Sequence, residues 1–68
     1  MIRLKVKEIA QAKGISQRRL FLRSEVDIRT IQKIWKDPFT NITIQTLAKL
    51  AKGLGVASTD LIEDVENE

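Results

Sequence analysis

The sequence predicts an all-α fold, a compact five-helix bundle built as one domain. Three observations predict it. Apolar residues recur at helical spacing along most of the chain, residues suited to N-caps stand just before those runs, and no stretch alternates apolar and polar residues as a half-buried strand would. At 68 residues the chain lies near the lower end of what folds without disulfides or metal.

Taken in order, Ile2, Val6, Ile9 and Ala10 give a first helix, with Leu4 off its stripe and Gly14 placed to stop it in a left-handed conformation. Ser16 is a natural N-cap for a second helix, Gln17 to about Ser24. Asp27 caps a third, from Ile28 to about Lys36. Asp37-Pro38 ends it, because proline disfavours the α region at the residue before it. After the loop PFTNI, Thr43 caps a fourth helix whose stripe is Ile44, Leu47, Ala48, Leu50, Ala51 and Leu54, closed by Gly53 and Gly55. Ser58 is expected to cap a short fifth helix holding Leu61 and Ile62. Residues 1–62 are therefore expected to be the domain, and residues 63–68 an acidic, fraying tail.

Composition narrows the function. There is no cysteine and no histidine, which removes thiol and imidazole chemistry and the usual zinc ligands. Carboxylates are scattered or confined to the tail, and no glycine-rich phosphate loop occurs, so an enzyme is not expected, nor a metal, cofactor or small-molecule ligand. No apolar run approaches the ~20 residues of a membrane span, and the first residues lack the apolar stretch of a signal peptide. The chain reads as cytoplasmic, with no membrane partner.

Charge is unevenly placed. Residues 1–60 hold all twelve Lys and Arg against five acids, a surplus of +7, while LIEDVENE holds four acids and no base. A basic body of this size suits a polyanion, nucleic acid before membrane. On charge alone an ordinary solvated surface stays open as the alternative.

The stretch SEVDIRTIQKIWKD carries the sharper signal. On a helical wheel Ile31 and Ile34 lie together with Thr30 beside them and Trp35 at the margin, facing the core. Arg29, Gln32, Lys33 and Lys36 cluster on the opposite side, with Ile28 at the border near the N-terminus. Bidentate donors, an amide and one apolar group are the residue types that read base edges in a major groove. The preceding helix adds Arg18, Arg19 and Arg23, and its free N–H groups at Ser16-Gln17 suit a phosphate. Two short helices joined through Glu25-Val26-Asp27, the second basic on its exposed face, make a helix-turn-helix arrangement.

Those residues also resemble a family. ISQRRLFLRSEVDIRTIQKIWK is similar to the helix-turn-helix of the phage repressor and Cro type (the XRE-like group), with Ser16, Gln17, Leu20, Val26, Ile31 and Ile34 in step. ITIQTLAKLAKGLGVASTDLIED resembles that family's fourth and fifth helices, and KIWKDPFTNI a subgroup of small stand-alone regulators. The resemblance implies a phage-repressor type of DNA-binding domain and a sequence-specific transcriptional regulator, a repressor, bound to double-stranded DNA as a homodimer. It implies that Ile28, Arg29, Lys33 and Gln32 meet base edges, while Gln17, Lys36, Thr40 and Asn41 reach phosphates. Arg18, Arg19 and Arg23 divide between phosphate contact and a plain solvated face. Ile28 has the alternative of a staple on its own helix. Trp35 is expected in the core rather than as a stacking platform.

Three departures stand out. Glu25 occupies the usual turn glycine, so the turn either avoids left-handed geometry or bears its strain. Phe21 replaces a small residue between the motif helices. Ala10 and Trp35 stand where relatives often pair an Arg with a Glu, an exchange that apolar packing tolerates. A protein-interaction module, such as an antitoxin-like partner of an acidic protein, is the competing function, since Leu4, Leu22, Phe39 and Ile42 are not all consumed by core stripes.

Overall fold

A computed structural model describes residues 1–66. Its elements are β1 (Ile2–Leu4), α1 (Val6–Ala12), α2 (Gln17–Ser24), α3 (Ile28–Lys36), α4 (Ile44–Leu54), a 3-10 turn (Ser58–Leu61) and β2 (Ile62–Asp64). The fold is mostly helical, with four α-helices and a small two-stranded sheet. It is neither five-helical nor purely all-α.

The predicted caps of the three central helices form. Ser16 Oγ accepts from the Arg19 N–H at 3.2 Å, an Asp27 carboxylate oxygen from the Arg29 N–H at 3.0 Å, and Thr43 Oγ1 from the Thr46 N–H at 3.0 Å. Each satisfies one of the N–H groups a helix start leaves unpaired. Gly14 and Gly55 end α1 and α4 with φ of +67° and +71°. After Gly55 the Val56 N–H reaches back to the Ala51 carbonyl at 3.0 Å, a turn that requires the left-handed residue between.

Several expectations are corrected. Ile2 does not open a helix: β1 pairs antiparallel with β2 in the register Ile2↔Asp64, Arg3↔Glu63, Leu4↔Ile62. Leu4 misses the helical stripe because it is a strand residue, and it is buried in the core. Glu63 and Asp64, expected to fray, are held by that pairing, while Glu68 lies outside the described residues. Ser58 caps no α-helix. Instead the Ala57 N–H donates to an Asp60 carboxylate oxygen at 3.2 Å, and one 3-10 turn delivers Leu61 to the core. Gly53 sits inside α4 rather than stopping it. Ile44 leads the predicted apolar stripe of α4 yet is 85 % exposed: Leu47 packs against the core edge, and only from Leu50 onward is the stripe fully buried.

The core gathers side chains from every element except β2, whose Ile62 packs against its edge. Val6, Leu20, Ile31, Ile34, Leu50, Leu54 and Leu61 are essentially fully enclosed. Full burial of each such side chain is worth ~1.5–3 kcal/mol, and this cluster is what holds α2 and α3 in place.

Candidate nucleic-acid interface

Both faces of α3 are settled by what its alternate residues do. Ile31 and Ile34 are buried, so the helix cannot rotate without losing them, and Arg29, Gln32, Lys33 and Lys36 are consequently fixed outward in solvent. Among the described residues the ion pairs are those of Arg3 with Glu8 (2.6 Å) and Glu63 (3.4 Å), and of the Met1 amine with Asp64 (3.4 Å). None draws on α2 or α3. The basic side chains of the motif are therefore not paired with any acid among the described residues, and their charge is available to a polyanion.

The joint between the helices is built on Ser24 and Glu25. Ser24, buried, donates its hydroxyl to the Leu20 carbonyl at 2.6 Å and accepts the Val26 N–H at 3.3 Å. Glu25 takes φ +60°, ψ +20°, the left-handed conformation. Of the two alternatives at this departure, the turn keeps its geometry and bears the strain, on the order of 1–2 kcal/mol for a residue with a Cβ. Val26 then drops into the core and Asp27 starts α3.

Gln17, Arg18, Ile28 and Gln32 converge on one open groove of about 430 Å³ between the α2 start and the α3 start. Phe21 and Leu22 line it as well. Neither is among the residues expected at DNA; the available signal is that two large apolar neighbours in a short amphipathic helix cannot both face the core, and Leu22 is one that no core stripe consumes. Phe21, 38 % exposed, lines the groove rather than being enclosed between the two helices. Ile28 is half-buried at its edge.

Other candidates scatter. Thr40 and Asn41 border a separate groove shared with Ile2, Ile42 and Ile44. Arg23, on the solvated side of α2 by sequence, is occupied: its Nε donates to the Gly53 carbonyl at 2.8 Å, tying α2 to the last turn of α4, where a cation also meets the negative end of the helix dipole. Arg18 and Arg19 remain solvated. Trp35 is half-buried, packed against the core edge and lining a groove with Arg3, Lys7 and Gln11. No helix among the described residues is long and apolar enough to cross a membrane.

Comparison with known families matches the sequence model of the Cro/C1-type HTH DNA-binding domain over residues 5–67. Comparison with curated proteins finds no match.

Proposed function

The chain belongs to the Cro/C1-type HTH DNA-binding domain family, and from that premise we propose that it is a sequence-specific transcriptional regulator, a repressor, that lays α3 in the major groove of duplex DNA. One observation carries this reading. The buried Ile31 and Ile34 lock onto the outward face of α3 an array of Arg29, Gln32, Lys33 and Lys36 with no acidic partner among the described residues. Ile28 and Arg29, at the leading end, are assigned to base edges, Ile28 to a thymine methyl and Arg29 to guanine O6 and N7, with Lys33 and Gln32 one turn on. Gln17, Arg18, Lys36, Thr40 and Asn41 are assigned to phosphates.

A nine-residue helix reads too few base pairs for useful specificity, so the protein works as a homodimer on half-sites about one helical turn apart. Occupying a promoter excludes other proteins from it, so repression is the sign of regulation that binding alone produces. Fluorescence anisotropy on random duplex at two salt concentrations tests the reading. A steep loss of affinity with salt is expected, about one counterion per phosphate contact; absence of binding at low salt would point instead to a protein partner.

A further inference from the structure

We infer that the groove between the starts of α2 and α3 is also a protein-docking site, and that its occupant is an acidic amphipathic helix of a partner protein. The helix seats its apolar face on Phe21, Leu22 and Ile28, and its carboxylates meet Arg18 and the bases around it. Such a partner covers the surface assigned to DNA and so takes the protein off its operator. That competition rests on the DNA reading above; the groove's preference for the helix does not.

DNA has a use for only part of this groove. Gln17, Arg18, Ile28 and Gln32 are assigned to phosphates and base edges, but Phe21 and Leu22, which complete the lining, have no counterpart on a duplex. Of the three large apolar residues of α2, Leu20 alone is buried; Leu22 is 64 % exposed and Phe21 38 %. A phosphate backbone laid over them would lose water from its charged oxygens and gain no donor in return. A protein helix supplies what they lack, since its residues at i, i+3 and i+4 put apolar side chains on one face. A groove of about 430 Å³ suits one such face.

Charge selects the kind of helix. Arg18, Arg19 and Arg23 stand on α2 and Arg29, Lys33 and Lys36 on α3, and neither helix contains an acid. Only Arg23 is engaged, by the Gly53 carbonyl. In the turn between the helices, Asp27 is occupied in capping α3, and neither it nor Glu25 lines the groove. A basic helix would be repelled here, and a neutral one would leave the cations unanswered. The groove beside Trp35 is different: Glu8 lines it and holds Arg3 at 2.6 Å, so the protein supplies its own acid there.

The two occupants are distinguished by salt. Duplex binding is held by phosphate contacts and falls steeply as salt rises. The helix is steered by the same cations but retained by apolar contact, which salt does not screen.

The probe is a fluorescein-labelled helical peptide with tryptophan and leucine on one face and glutamate on the other; polyglutamate of equal charge is the control. The peptide is expected to bind about tenfold or more tighter than polyglutamate, a difference that burial of a single large apolar side chain supplies. It should displace random duplex competitively, lose affinity less steeply with salt than the duplex does, and move the amide resonances of Gln17, Phe21, Leu22 and Ile28. Leu22→Ser, an exposed change outside the residues assigned to DNA, should weaken the peptide about tenfold and leave random-duplex affinity unchanged. Phe21→Ala should do the same, with melting measured to show that it is folded. Peptide binding no tighter than that of polyglutamate, or unmoved by Leu22→Ser, overturns the docking site even with duplex binding intact. Peptide and duplex held at the same time overturn it as well. Failure of the parent to bind any duplex, with the peptide still bound and still weakened by Leu22→Ser, overturns the DNA reading and leaves the docking site standing.

Discussion

Ser24 and Gly53 stand back to back where α2 crosses α4: a Cβ built on the glycine would lie 2.9 Å from the Cβ of Ser24 and 3.1 Å from its Cα. The same two residues supply other ties, since Ser24 fastens the motif turn and the Gly53 carbonyl accepts Arg23. Small side chains at this crossing let the two helices touch through their backbones.

Gly53→Ala should therefore destabilise. In an exposed helix the change would add about 1 kcal/mol through propensity. Here the new methyl meets a serine that cannot retreat without breaking the turn, at a cost of ~1–3 kcal/mol. Thermal melting by circular dichroism is expected to show a fall of roughly 4–8 °C per kcal/mol. A melting point at or above the parent's would mean that the crossing is loose.

Glu25→Gly should act in the other direction. Glycine relieves the left-handed strain at φ +60° and gives part of that gain back to unfolded-state entropy, leaving ~0.5–1 kcal/mol. The urea midpoint should rise at constant slope. An unchanged midpoint would show that the glutamate pays nothing for its conformation.

Arg29→Ala and Lys36→Ala should separate reading from holding. Both residues are exposed on α3, at its leading and trailing ends, and neither variant should alter helicity or melting. Arg29→Ala is expected to cost ~1–3 kcal/mol on a selected site and to relax preference at one base pair per half-site. Lys36→Ala should weaken specific and random duplex alike and lower the salt slope by about one. Should Arg29→Ala weaken every sequence equally, the base contacts move to Gln32 and Lys33.

Truncation after Ile62 should lower stability by ~1–3 kcal/mol, because it removes the strand residues opposite Arg3 and Ile2 and the Val65 N–H bonded to the Met1 carbonyl at 2.8 Å. Replacing Glu63, Asp64, Glu66 and Glu68 by their amides keeps that backbone. It should tighten binding to random duplex at low salt, an effect that shrinks as screening shortens to ~8 Å at physiological ionic strength. A melting point unaffected by truncation would show the strand to be dispensable.

The central helices were legible in the sequence because their signals are local. A cap, a 3.6-residue stripe and a stop lie within a dozen residues of one another at Ser16, Asp27 and Thr43, and the same spacing sorted Ile31 and Ile34 from Arg29 and Lys33. What escaped depends on partners far along the chain. Three residues, Ile2 to Leu4, are too few to display alternation, and their partner strand begins at Ile62. Gly53 reads as a helix stop until Ser24 is known to lie against it. Ile44 continues a stripe that is apolar throughout but buried only in its C-terminal half. For the candidate site, sequence placed Gln17, Arg18, Ile28 and Gln32 on neighbouring helices, and the structure brings them to one groove. It could not show that Arg23 is engaged by a carbonyl thirty residues away.

The two-stranded ribbon has a kinetic consequence. α2, its turn and α3 form from contacts a few residues apart, whereas β1 and β2 must close a loop of nearly the whole chain before their first bond forms. The ribbon is then the last element to assemble, and a transition state that already contains α2 and α3 would contain little of it. In the native state the ribbon's amides should exchange with solvent through an opening that leaves the helices shut. The helix-turn-helix pair would thus fold early and stay shut longest, with the slowest closure left to the strands that join the two ends of the chain.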